Sequence, residues 1–167
     1  MIYETERLNL RPSRVSDAPS LFQFLGDKQA MRFTQVHPCL DHTRRYLQTH
    51  EFNREKVGYA PWVILEKSSN GIVGFGGLYK DPFDPGWGLE VGYYFAPSAW
   101  GKGYAIELVQ FCLALLRQSS VMSEVRAFAH PENAASRRVL MKAGFVEERF
   151  MPSMNRHLYR ASLSDEP

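Results

Sequence analysis

A chain of 167 residues, 44% apolar and 23% charged, has the material for one domain with a filled core, and it lacks the run of about 18 apolar residues that spans a membrane. A formal charge of +2, with Lys and Arg spread along the chain, excludes the concentrated basic footprint of a nucleic-acid binder. Cys39 and Cys112 have no metal-ligand spacing and make no disulfide framework, and the charged start Met1 to Arg7 lacks the apolar core of a signal peptide, so a cytoplasmic protein is expected.

Taken in chain order, Glu6 to Arg11 alternates apolar and polar residues and predicts a first strand, after which Ser16-Asp17 caps a helix through Leu25. Asp41 is the expected cap of a second helix running to about Arg54. Tyr59 to Glu66 and Ile72 to Tyr79 predict two strands joined by Lys67 to Gly71, where Asn-Gly signals a hairpin turn. After the loop Lys80 to Gly88 comes a strand from Glu90, followed by Pro97, Trp100, Gly101, Lys102, Gly103, Tyr104 and Ala105. A helix continues from there, with apolar residues at 105, 108, 109, 112, 113 and 116 giving one buried face that includes Cys112. Glu124 to His130 reads as a strand, Asn133 to Lys142 as a short helix stopped at Gly144, and Phe145 to Arg149 and His157 to Leu163 as the last two strands. The sum is a single α/β domain over residues 1–167. Its mixed sheet of about seven strands is antiparallel over the first hairpins and parallel where strand, helix and strand follow in order, with four helices.

A strand, a turn with bare amides and a helix N-terminus together form a seat for a phosphate group. Gly101 and Gly103 have no side chain to hold an anion off the backbone, and Ala105 is small enough to let it approach the first helical turn. The dinucleotide fingerprint fails because its third small residue falls on Ile106, and the P-loop fails because Lys102 lies between the glycines with no Gly-Lys-Ser/Thr after them. Gly-x-Gly-x-Ala after an extended strand is what remains.

Three separated stretches then carry a resemblance: the opening Glu4 to Arg11 with Asp17-Ala18, the segment Trp100 to Ala105, and Asn133-Ala134-Ala135-Ser136-Arg137-Arg138 through Gly144-Phe145. Together they resemble the GNAT superfamily of acetyl-CoA-dependent N-acetyltransferases, and within it the branch named for acetylating the N-terminal residues of ribosomal proteins. The resemblance runs from about residue 4 to 163 and implies a sheet splayed between its fourth and fifth strands. Gly101 to Ala105 would present amides to the coenzyme A pyrophosphate, while Tyr94, Phe95 and Ala96 lie where pantetheine pairs along a strand edge. Trp100 stands where most of the superfamily has Arg or Gln. Asn133 is expected to cap its helix or bond a pantetheine amide, and Arg138 and Lys102 are the first choices, ahead of Arg137 and Lys142, for a cofactor phosphate.

Acetyl transfer needs a neutral amine, so a base or a water chain must take its proton, and the oxyanion needs a donor. Glu90 is the candidate base, and a backbone amide near Tyr94 or Phe95 the candidate oxyanion donor. Leu140 occupies the place of the Tyr that protonates the thiolate in many relatives; Ser136 matches a Ser of the ribosomal-protein-like branch and is the candidate acid. His130 is a candidate second base; His37, His42 and His50 show no metal spacing, and no metal is expected. The segments Met31 to Tyr46, Asp81 to Gly88 and Met151 to Tyr159, with Phe33, Phe83, Trp87, Asp81 and Asp84, are expected to rim the acceptor side, where aromatic and acidic groups suit a cationic amine of a small molecule or a peptide. A homodimer through the C-terminal strand edge is a further expectation. The alternatives are a non-catalytic acyl-CoA sensor or scaffold module of the same fold, and a nucleotide-binding fold with affinity for ATP or NAD.

Overall fold

The computed structural model describes residues 1–164, and one mixed sheet organises them. Its strands are β1 (Tyr3–Glu4), β2 (Leu8–Arg11), β3 (Trp62–Glu66), β4 (Ile72–Tyr79), β5 (Glu90–Phe95), β6 (Glu124–Ala129), β7 (Val146–Met151) and β8 (Arg156–Ser162), in the order β1-β2-β3-β4-β5-β6-β8-β7. The helices are α1 (Ala18–Leu25), α2 (Leu40–Val57), α3 (Tyr104–Ser119) and α4 (Ala134–Lys142). Every neighbouring pair is antiparallel except β5 with β6. The sequence reading of about seven strands omits β1, whose two residues are too short to show a period.

Two local expectations are corrected. The second helix begins at Leu40 with Cys39 at the cap position, so Asp41 falls in the first turn, where its charge faces the helix N-terminus instead of capping it. Asp17 closes a short 3-10 turn, Val15–Asp17, and its carboxylate turns to the amide of Arg14 and the guanidinium of Arg11 rather than to the amides of α1.

Alternation along the strands divides the core in two. On one face Leu8, Leu10, Ile64, Val91, Val125 and Tyr159 meet the apolar stripe of α3, Leu108, Val109, Cys112, Leu113 and Leu116, with Leu140 of α4. On the other, Val63 and Phe75 meet Leu21, Phe24 and Leu25 of α1 and Leu47 of α2. Each fully buried Leu or Ile contributes about 1.5–3 kcal/mol of transfer free energy. A bidentate pair ties β2 to the turn before α1, with Arg11 Nη1 and Nη2 each 2.8 Å from an Asp17 oxygen. Burial opposes ionisation of Asp17, and the bonds from Arg11 and the Arg14 amide still hold its carboxyl below the ordinary range. Asp17→Asn is expected to cost about 2 kcal/mol at neutral pH, read as a lower urea midpoint with unchanged m.

Between β5 and β6 the register has one rung, Glu90↔Arg126, next to the bond from Arg126 N–H to Leu89 C=O at 3.0 Å. Beyond it the strands part, which is the expected splay. The sheet ends at β7, whose free edge carries a register shift between Glu147 and Arg149 and the charges of Glu147, Glu148 and Arg149, features that discourage strand addition there. No helix among the described residues is long and apolar enough to cross a membrane.

Candidate active site

The loop from β5 to α3 passes through a 3-10 turn, Pro97–Ala99, and then Gly101 and Gly103 take φ of 74° and 81°, a left-handed backbone that glycine adopts without strain. Arg7 braces this turn from outside. Its Nη1 donates to Lys102 C=O at 2.7 Å, and its Nε pairs with Glu107 Oε2 at 2.8 Å. Ile106 N–H makes no bond to Lys102 C=O one turn back, and the amides from Gly101 to Ile106 donate to nothing among the described residues. A Cβ built at Gly101 would meet no atom within 4 Å, so the approach is open. This cradle fits a pyrophosphate. Lys102 Nζ is paired with Glu66 at 3.3 Å and the Tyr104 hydroxyl also donates to Glu66, so at these two residues, as at Ala105, it is the amide that stays open.

The gap beside β5 offers more backbone. Ala96 N–H donates to Val73 C=O at 2.9 Å; by antiparallel alternation the groups of Tyr94 also go to β4, leaving those of Tyr93 and Phe95 facing the gap. Trp100 Nε1 takes the Phe95 carbonyl at 2.9 Å, and Phe95 N–H is then the free donor.

Across the gap, α4 begins at Asn133, whose Oδ1 accepts from Ser136 N–H at 3.1 Å, so the side chain caps the helix. The Ser136 hydroxyl lies 3.0 Å from the hydroxyl of Tyr93. Burial pushes the Tyr93 phenol up to about 12, against the smaller opposing effect of the Ser136 bond, so it keeps its proton at neutral pH. Arg138 is exposed with no partner for its guanidinium among the described residues, whereas Arg137 is held by Tyr159 and Pro131.

Glu90 sits on the single rung, 5% exposed, with Oε2 buried and unpartnered. Burial pushes its carboxyl up to about 8; Asp81 and Asp84 add to that and Arg156 and Arg126 oppose it. A carboxyl so poised titrates where an amine must lose its proton. Tyr79 stands beside it in the ladder, with its hydroxyl over Gly92, where a Cβ would come within 2.5 Å.

The aromatic positions separate. Phe83 stacks on Tyr46 with centroids 5.6 Å apart and joins His50 and Tyr79 around the α2 side of the cleft. Trp87 packs edge-on against Phe128 and donates to Asp84, and Phe33 lies 5.1 Å from the ring of His130. His37 and His50 are buried in the same aromatic layer, and no group of three possible metal ligands occurs among the described residues. Sequence reasoning missed Tyr93, Tyr79 and His50. Only the topology brings them to the cleft, although the alternation of β5 placed Tyr93 on the face opposite Tyr94.

Residues 7–146 match the family described as acetyltransferase (GNAT) domain. The chain is 28% identical over 141 residues to protein YkkB of Bacillus subtilis, covering 84% of this chain and 82% of that protein. Among solved structures, a GNAT-family acetyltransferase from Bacillus anthracis superposes with a TM-score of 0.78 at 22% identity, covering 98% of this chain and 99% of that one. RimL, a ribosomal L7/L12 alpha-N-protein acetyltransferase solved in complex with coenzyme A, gives 0.80 at 19% identity over 97% and 98% of the two chains. With the splayed sheet, the open glycine turn and a family match over most of its length, the chain belongs to the GNAT acetyltransferases.

Proposed function

We propose that the protein transfers the acetyl group of acetyl-CoA to a primary amine by direct attack in a ternary complex. The observation that carries this reading is the run of unpaired amides from Gly101 to Ile106, reached from the strand that begins at Glu90, whose buried oxygen has no partner. Bound there, acetyl-CoA supplies an activated thioester. The chain's own groups do the rest. The Gly101 to Ala105 amides and the free guanidinium of Arg138 hold phosphates, and the Phe95 N–H offers its hydrogen to negative charge developing in the gap. Glu90 takes a proton from the incoming ammonium. With Tyr93 as the donor in its pair with Ser136, the Ser136 hydrogen is free to serve the departing sulfur. Asn133 fixes the start of α4 and so the position of Ser136.

Incubation with acetyl-CoA and a panel of amines, followed by free thiol and by the mass gain of one acetyl group on the amine, tests the reading. Burial of Leu140 where relatives carry a Tyr acid favours a second reading, a module that binds acyl-CoA without turnover. Coenzyme A binding with no thiol release on any amine would select it. Gly103→Val probes the seat itself: φ of 81° strains any β-branched residue, and its Cβ would lie 3.3 Å from Arg7 Nη2. Coenzyme A affinity by calorimetry is expected to fall by about tenfold or more.

A further inference from the structure

The face of the sheet around Glu90 carries charges of both signs, the arginines on β6 and β8 and two aspartates on the β4–β5 loop. Glu90, Arg126 and Arg160 stand in register across β5, β6 and β8. Side-chain alternation puts Arg156 on that same face, away from α3. Arg160 and Arg126 share Glu124, each at 3.4 Å. Arg126 Nη1 donates to Trp87 C=O at 2.9 Å while its Nε is buried with no acceptor. Arg156 is half-buried, and its guanidinium has no hydrogen bond or ion pair among the described residues. The β4–β5 loop, joined to β6 through Trp87, brings the acidic groups: Asp81 accepts from Phe83 N–H and Asp84 from Trp87 Nε1 through one oxygen each, leaving the other oxygens free. All four groups, Asp81, Asp84, Arg156 and Arg126, act on Glu90, whose Oε2 is buried and unpartnered.

We infer that the acceptor is a primary amine bearing an anionic group, a carboxylate or a phosphate, with the ammonium toward Glu90 and Asp81 and the anion on Arg156. The inference rests on the acetyl-transfer reading and narrows its substrate. A neutral alkylamine that displaced water from this face would leave Arg156 desolvated with nothing to accept its hydrogens, an outcome that costs free energy. An anion there receives two parallel N–H bonds from one guanidinium, which fixes where the amine end points. The acidic loop then excludes the reversed orientation by like-charge repulsion.

The test is kcat/KM with acetyl-CoA over matched sets: an amino carboxylate, its phosphonate analogue and its carboxamide, and a pair of dipeptide amides whose second residue is Asp or Asn. The anionic members are expected to exceed their neutral partners by about tenfold or more, a ratio that reports one charged hydrogen-bonded contact. In Arg156→Gln the ratio is expected to fall toward one, and in Arg156→Lys to recover in part. A preference confined to the small-molecule set identifies a free amino acid or aminophosphate as the source; a preference confined to the dipeptides identifies an acidic protein N-terminus, and either supports the inference. Equal use of charged and neutral members by the wild type, or a preference that survives in Arg156→Gln, overturns it and leaves acetyl transfer standing. Failure of every amine to release thiol, with coenzyme A still bound, overturns the transferase reading and the inference with it.

Discussion

Glu90→Gln is expected to lower kcat by about 10²–10⁴-fold while coenzyme A affinity stays near wild type. The substitution keeps the size of the side chain and removes the only buried carboxylate on the β5–β6 rung. In the wild type, kcat/KM rises with pH to a limb near 8, where Glu90 gives up its proton, and in the variant that limb is lost. The same change has an opposite effect on the folded state. The carboxyl ordinarily titrates at 4.5 and is raised to about 8 on folding, chiefly by burial and then by Asp81 and Asp84. Folded protein therefore holds a proton that unfolded protein has released, so this contribution is complete below pH 4.5 and is lost as pH rises through 8. Above pH 8 the variant is expected to be the more stable by an amount on the order of 3 kcal/mol, measured by urea unfolding. An unchanged turnover and pH profile would remove Glu90 from the chemistry, whatever the unfolding curves show.

Acid lability is the second large effect. His37 and His50 are 6% and 2% exposed, and burial, with the charge of His42 added at His37, lowers each from 6.5 to about 4; at His50 Glu51 opposes this and Arg54, by less, adds to it. Here the unfolded chain binds the extra protons, so stability is full above pH 6.5 and falls as pH drops toward 4. Between pH 6.5 and 5 each histidine withdraws about 2 kcal/mol. Glu90 works the other way over that interval, one proton against two, so stability should peak near pH 6.5, measured as urea midpoints across pH 4.5 to 9. His50→Phe offers a separate readout. The buried His50 Nδ1 bonds nothing, and its neighbours are the rings of Tyr46, Phe75, Tyr79 and Phe83. With one histidine proton then set against the one on Glu90, the variant should lose nearly all of the net acid slope between pH 6.5 and 5 and keep the alkaline one. A slope unchanged in the variant would show that His50 is protonated in the folded protein.

Local pattern made much of this molecule legible. The period of α3, the alternation of β2 and the glycine spacing before Tyr104 are properties of neighbouring residues, and each predicted element is present within a few residues of its expected ends. What could not be read depends on strand order. Nothing local says that β8 inserts between β6 and β7, and that insertion is what carries Arg156 and Arg160 to the face of Glu90. The pairing of Tyr93 with Ser136 joins residues 43 apart, and Arg7 reaches Glu107 across 100 positions. Asp17 and Cys39 show a different limit. A side chain suited to a helix cap is also suited to an arginine, and Arg11 is within reach of Asp17 once β2 is in the sheet.

By stopping the β5–β6 ladder after one rung, the fold forgoes bonds that contribute about 0.5–1.5 kcal/mol each in an ordinary sheet. The backbone groups of Tyr93 and the amide of Phe95 have no ladder partner along that gap, and α3 holds the two parts of the sheet together from one face through Leu108, Val109 and Cys112. Stability withheld from folding in this way becomes available for association. An extended amide-bearing ligand that enters the seam exchanges hydration for ladder bonds the polypeptide never made with itself, and it meets rigid walls whose ordering cost was met when the core closed.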